Sequence, residues 1–165
     1  MPRNTITKGV AYEDQAILGT KTNDNQEIGY VGEYIQATVA VGAAVALTTG
    51  TPANVTSIVL TQGDWDVDCV VDFLPAASTS VTQYNASVSA TSATLAAQPG
   101  ANGVGPDATI TINQAAAVPA AEVGLAPTTV RVSIAAQTTI YMVAEAAFTV
   151  STMTAYGTIR ARRMA

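Results

Sequence analysis

The chain contains no histidine, a single cysteine, two lysines and only nineteen charged residues among 165. Each shortage closes a chemistry. Without histidine there is no Ser-His-Asp or Cys-His nucleophile and no His-ligated zinc or iron. One cysteine, Cys69, excludes an intrachain disulfide framework. Seven basic residues against twelve acids leave a net charge of −5, a poor match for nucleic acid. The most apolar stretch, Val39 to Leu47, is about half of what a membrane-spanning helix needs. The opening Met-Pro-Arg-Asn-Thr-Ile-Thr-Lys has no apolar core after its charges, so a secretory signal is not expected. Expected catalytic, cofactor-binding and metal residues are therefore none, and neither nucleic acid nor membrane is an expected partner.

What the chain does have is 31 alanines, 24 threonines and 19 valines. Small and β-branched side chains suit thin, closely packed sheets and subunit contacts. High hydrophobicity with few charges argues against disorder, and this length fits one domain burying roughly 70% of its unfolded surface. The charges are unevenly placed. Eight lie between Arg3 and Glu33, none between Tyr34 and Gly63, and none between Leu74 and Pro106. The break predicts an extended, polar N-terminal arm over 1–32 and a single all-β domain over 33–165.

The clearest segment is Asp64 to Phe73. Trp65, Val67, Cys69, Val71 and Phe73 alternate with Asp64, Asp66, Asp68, Val70 and Asp72, the period-two mark of a half-buried strand. Burying its apolar face contributes on the order of 8–12 kcal/mol before entropy is subtracted. Further strands are expected over Glu33–Val41, Ala43–Thr48, Asn54–Thr61, Ser80–Ala90, Ala108–Gln114, Thr128–Ala135, Thr138–Val150 and Thr152–Arg163. Short strands with Gly, Pro and Asn punctuation predict a jelly-roll-like β-sandwich. Ala115 to Val123, interrupted by Pro119, reads as one short helical turn, and Gln98 to Pro106 as a long surface loop.

Asp64, Asp66 and Asp68 imitate the opening of a calcium-binding EF-hand loop, but Cys69 stands at its glycine position and Pro75 at its glutamate. The acids read instead as a solvated strand face whose charge discourages edge pairing. Cys69 belongs to the apolar face and is expected to be an inert, buried thiol. Two glycosylation sequons, at Asn54 and Asn85, are expected by chance in so threonine-rich a chain. The basic cluster Arg160, Arg162 and Arg163 invites pairing with acids such as Glu122 or Glu145, or with a neighbouring subunit.

Several phrases carry a resemblance: Ser57-Ile58-Val59-Leu60-Thr61 before Gly63-Asp64-Trp65-Asp66-Val67; Val130-Arg131-Val132-Ser133; Thr139 to Ala144; Phe148 to Met153; and Tyr156 to Arg163. From about residue 30 onward the chain resembles small structural proteins of tailed-bacteriophage and prophage virions, of head decoration (cement) or fibre type. The resemblance implies a β-sandwich that assembles as a homotrimer on the phage particle, and it brings no catalytic residues. The function expected is a capsid decoration protein that binds the outer capsid surface, with the major capsid protein as partner. Such a protein is made and assembled in the host cytoplasm. The alternative is a head-fibre or tail-tip receptor-binding module using exposed Tyr84 with Tyr141 or Tyr156 and the Gln98–Pro106 loop. A carbohydrate-active enzyme on the same scaffold is a third, weaker reading.

Overall fold

The computed structural model describes residues 25–96, 108–119 and 121–165, with the backbone alone for 115–119. The expected N-terminal arm up to residue 24 and the expected loop over 98–106 lie outside the described residues. Ten strands appear among the described residues: β1 (Tyr34–Val39), β2 (Val45–Ala46), β3 (Ala53–Leu60), β4 (Gly63–Pro75), β5 (Ser80–Ser89), β6 (Thr109–Pro119), β7 (Val123–Leu125), β8 (Val130–Ile134), β9 (Thr138–Thr149) and β10 (Met153–Arg163). They form two antiparallel sheets packed against each other, an all-β sandwich. One sheet runs β1-β10-β4-β7, with β2 also on β10 and β8 also on β4; the other runs β3-β9-β5-β6.

Period-two patterning builds the core. Trp65, Val67, Cys69, Val71 and Phe73 of β4 and Met153, Ala155, Ile159 and Ala161 of β10 point inward from the larger sheet. They meet Ile58 and Leu60 of β3, Tyr84, Ala86 and Val88 of β5, and Ile140, Met142, Ala144 and Ala146 of β9. Phe73 and Tyr84 join the sheets edge to face, with ring centroids 5.2 Å apart. Tyr84 is thus a core residue and not the exposed aromatic expected of a receptor-binding surface.

Four further departures have local causes. A bulge at Thr82 shifts the register of β5, so Val81 shares the core side with Tyr84 instead of opposing it. Val150 lies beyond the end of β9 in a left-handed conformation (φ 79°) and is exposed, although its parity placed it with Phe148. Among the described residues no helical turn forms near Ala115: β6 continues to Pro119, tolerated because β6 is an edge strand, and β7 follows. The acidic strand β4 is not an edge either; it lies between β10 and β7/β8. Pro127, which lacks an amide hydrogen, separates β7 from β8 along β4.

Gly157 sits mid-strand in β10 at φ +138°, and a Cβ there would lie 2.0 Å from the Val70 carbonyl oxygen. Gly157→Ala is expected to cost roughly 1–3 kcal/mol from backbone strain alone, with the clash adding to it. Thermal unfolding of the variant, showing a Tm lowered by at least several degrees, is the check.

Candidate functional site

The last strand ends in a residue that parity sends inward. Arg163 continues the odd-numbered face of Met153, Ala155, Ile159 and Ala161, and it is buried. A buried guanidinium needs acceptors for its donors and a counter-charge. Here Nε donates to Glu33 Oε2 at 2.9 Å, Nη1 to the Gln62 carbonyl at 2.8 Å, and Nη2 to the Thr61 hydroxyl. Its Cζ lies 4.2 Å from the Trp65 ring centroid, and the indole N–H donates to the Thr61 carbonyl at 2.9 Å. Both ion-pair side chains are only 4% exposed. Gly63 makes room: a Cβ on it would fall 2.1 Å from Arg163 Nη1.

The same carboxylate shapes the chain just before β1. Glu33 Oε2 also accepts the Gly29 amide at 2.8 Å, while the Glu33 carbonyl accepts the Arg163 amide and the Arg163 carbonyl accepts that of Gly32. Left-handed Gly29 (φ +90°) and Gly32 (φ +94°) fold residues 27–33 into a double turn, closed by Tyr30 N–H to the Glu27 carbonyl and Glu33 N–H to the Tyr30 carbonyl. The turn holds Ile28, Tyr30 and Val31 in solvent, 78%, 57% and 68% exposed. Three large apolar residues on a backbone fixed by a buried ion pair form a built feature. Asn25 brackets the next residue, its side chain donating to the Tyr34 carbonyl and accepting the Tyr34 amide.

The outer face of the larger sheet carries a lattice of charge. Across strands, Asp66 stands opposite both Arg162 of β10 and Arg131 of β8, and Asp68 stands opposite Arg160. Arg131 pairs diagonally with Asp64 at 2.5 Å, and Arg160 pairs with Asp68 at 2.6 Å. The Ser133 hydroxyl and the Arg131 guanidinium hold the Asp64 carboxyl below its ordinary range. Exposed pairs such as these contribute little stability individually. The acids, spaced two residues apart, are interleaved by arginines and do not converge; among the described residues no three His, Cys, Asp or Glu side chains gather as a metal site. Above this lattice lies an open groove of about 880 Å³, bounded by Asn25, Gln26, Tyr34, Asp66, Thr129 and Arg162.

At the far end of the same face Tyr156, opposite Asp72, donates its hydroxyl to Glu122. That bond, with burial and the nearby acids, pushes the tyrosine up to about 12. Burial and the Glu122 charge push Asp72 above the ordinary carboxylate range. Glu122 therefore serves a tyrosine, and Glu145 accepts from Asn85 at 3.1 Å; neither meets the arginine cluster as the sequence suggested. Cys69 is buried, and desolvation followed by the Asp68 charge raises its thiol to about 12. Asn85 is buried, its amide engaged by Glu145, Gln83 and Thr111.

Comparison with protein-family models, with curated proteins and with solved structures finds no match for this chain.

Asp72 supplies a test with a defined sign. Its folded-state pKa is raised, so its relative stabilisation is complete below the ordinary carboxylate value and is lost as pH rises through the raised value. Asp72→Asn is expected to melt higher than the parent at pH 7. The gap should close as pH falls below about 4. Thermal melts across that range check it.

Proposed function

We propose that the chain is a structural subunit of a bacteriophage head, a decoration protein that binds the outer capsid surface as a trimer. The virion part of this reading rests on the resemblance of its strand phrases. The assembly part rests on one observation: the hydrogen-bonded turn at 27–33, which holds Ile28, Tyr30 and Val31 in solvent at the root of a polar N-terminal segment. A backbone held in place before binding loses little entropy on contact, which is what a docking point requires.

The winding of the chain supports a jelly roll. With β7 and β8 taken as one interrupted strand, early strands pair with late ones: β1 with β10, β3 with β9, β4 with β7 and β8, and β5 with β6. A long hairpin rolled into two sheets gives this nesting. Closed trimers would limit further association at the sheet edges. The receptor-binding alternative is weakened by the burial of Tyr84 in the core.

Co-sedimentation with capsids assembled without this chain provides the test. Ile28→Ser/Tyr30→Ser/Val31→Ser is expected to keep the parent's Tm, because all three side chains are exposed, while losing most capsid binding. Copy number in purified virions should be comparable to that of the capsid protein. Undiminished binding by the triple variant, or a handful of copies confined to the tail, overturns the reading.

A further inference from the structure

We infer that the polar groove on the outer face of the larger sheet is the seam where two copies of this chain meet, Asp66 of one copy against Arg162 of the next. The inference deepens the self-associating reading above and rests on it. Its ground is a mismatch within the charge lattice. Asp66 faces an arginine on either side, Arg131 and Arg162, yet Arg131 turns away to Asp64, and Arg160 is taken by Asp68. Asp66 and Arg162 are cross-strand neighbours, but among the described residues neither joins an ion pair or a side-chain hydrogen bond. Among the described residues, therefore, a guanidinium with five donors and a carboxylate with two acceptor oxygens stand side by side on the groove wall with no side-chain partner.

The charge pattern selects the occupant. Three aspartates (Asp64, Asp66, Asp68) and three arginines (Arg131, Arg160, Arg162) balance on this patch. A partner of one dominant sign, such as a nucleic acid or a strongly acidic peptide, would meet as much repulsion as attraction. A second copy of the patch carries the complementary arrangement. When a rotation axis relates the copies, each Arg162 meets the next copy's Asp66, and around a threefold axis the charges alternate in a closed ring.

Analytical ultracentrifugation of the full chain, over a range of protein and salt concentrations, tests the seam. The parent should self-associate, more weakly as salt rises. Asp66→Arg places arginine against arginine and Arg162→Asp places aspartate against aspartate, so each should weaken association by roughly ten-fold or more. The exchanged variant Asp66→Arg/Arg162→Asp restores opposite charges and should recover association. Circular dichroism melts confirm that each variant compared is folded. The seam is overturned by a parent that stays monomeric, by folded single variants that associate as tightly as the parent, or by a folded exchange variant that fails to recover. The capsid reading fails on a different measurement, because the triple-serine variant at 28–31 leaves the groove untouched and should still self-associate.

Discussion

The buried pair of Arg163 and Glu33, with the guanidinium lying over Trp65, ties together parts of the chain that are far apart in sequence. Glu33 stands just before the first strand, Thr61 and Gln62 lead into β4 at Gly63, and Arg163 closes the last strand. All three parts converge on one guanidinium. An ion pair in such a place is not a cheap source of stability, because desolvating two charges offsets most of their attraction. What it does impose is geometry: removing either partner strands a charge in the interior, so the two ends of the domain must close together. The turn bearing Ile28, Tyr30 and Val31 hangs from the same carboxylate through the Gly29 amide.

Among the described residues charge is used sparingly, and each use is confined to one place in the fold. The inner Arg163–Glu33 pair fixes one end of the sandwich, while the outer lattice of aspartate and arginine lies across three adjacent strands. Because β4 is central and not an edge, its acids do not guard against edge pairing. They order Arg131 of β8 and Arg160 of β10, leaving Asp66 and Arg162 on the groove wall without an ion pair among the described residues. At the opposite end of that face Asp72 feels burial and the Glu122 charge, while Tyr156 donates its hydroxyl to Glu122.

Most strands were legible because one side of each is apolar and strand parity is strict. Trp65 to Phe73 and Ile140 to Phe148 point inward as their alternation requires. Parity failed where a bulge intervened, at Thr82, and where a strand stopped early, at Val150, since neither event leaves a mark in hydrophobic period. The three-residue β7 is too short to carry a period at all. The latch was missed for another reason: Arg163 shares the inward register of Ala161, but a charged side chain was read with its basic neighbours and not with its parity. An arginine in phase with a buried stripe, together with a tryptophan in phase on the adjoining strand, was the available signal. The exposed turn depends on two left-handed glycines and a carboxylate arriving from the same loop, contacts that no local pattern encodes.

The dependence of this end of the domain on the latch can be measured by a double-mutant cycle in urea, with Arg163→Met, Glu33→Gln and the two combined. Each single variant should lose about 3–5 kcal/mol, because it leaves the opposite charge buried and unpaired. The combined variant should lose less than the sum by at least about 1 kcal/mol. Strictly additive losses, or single variants with the parent's unfolding midpoint, would contradict the account.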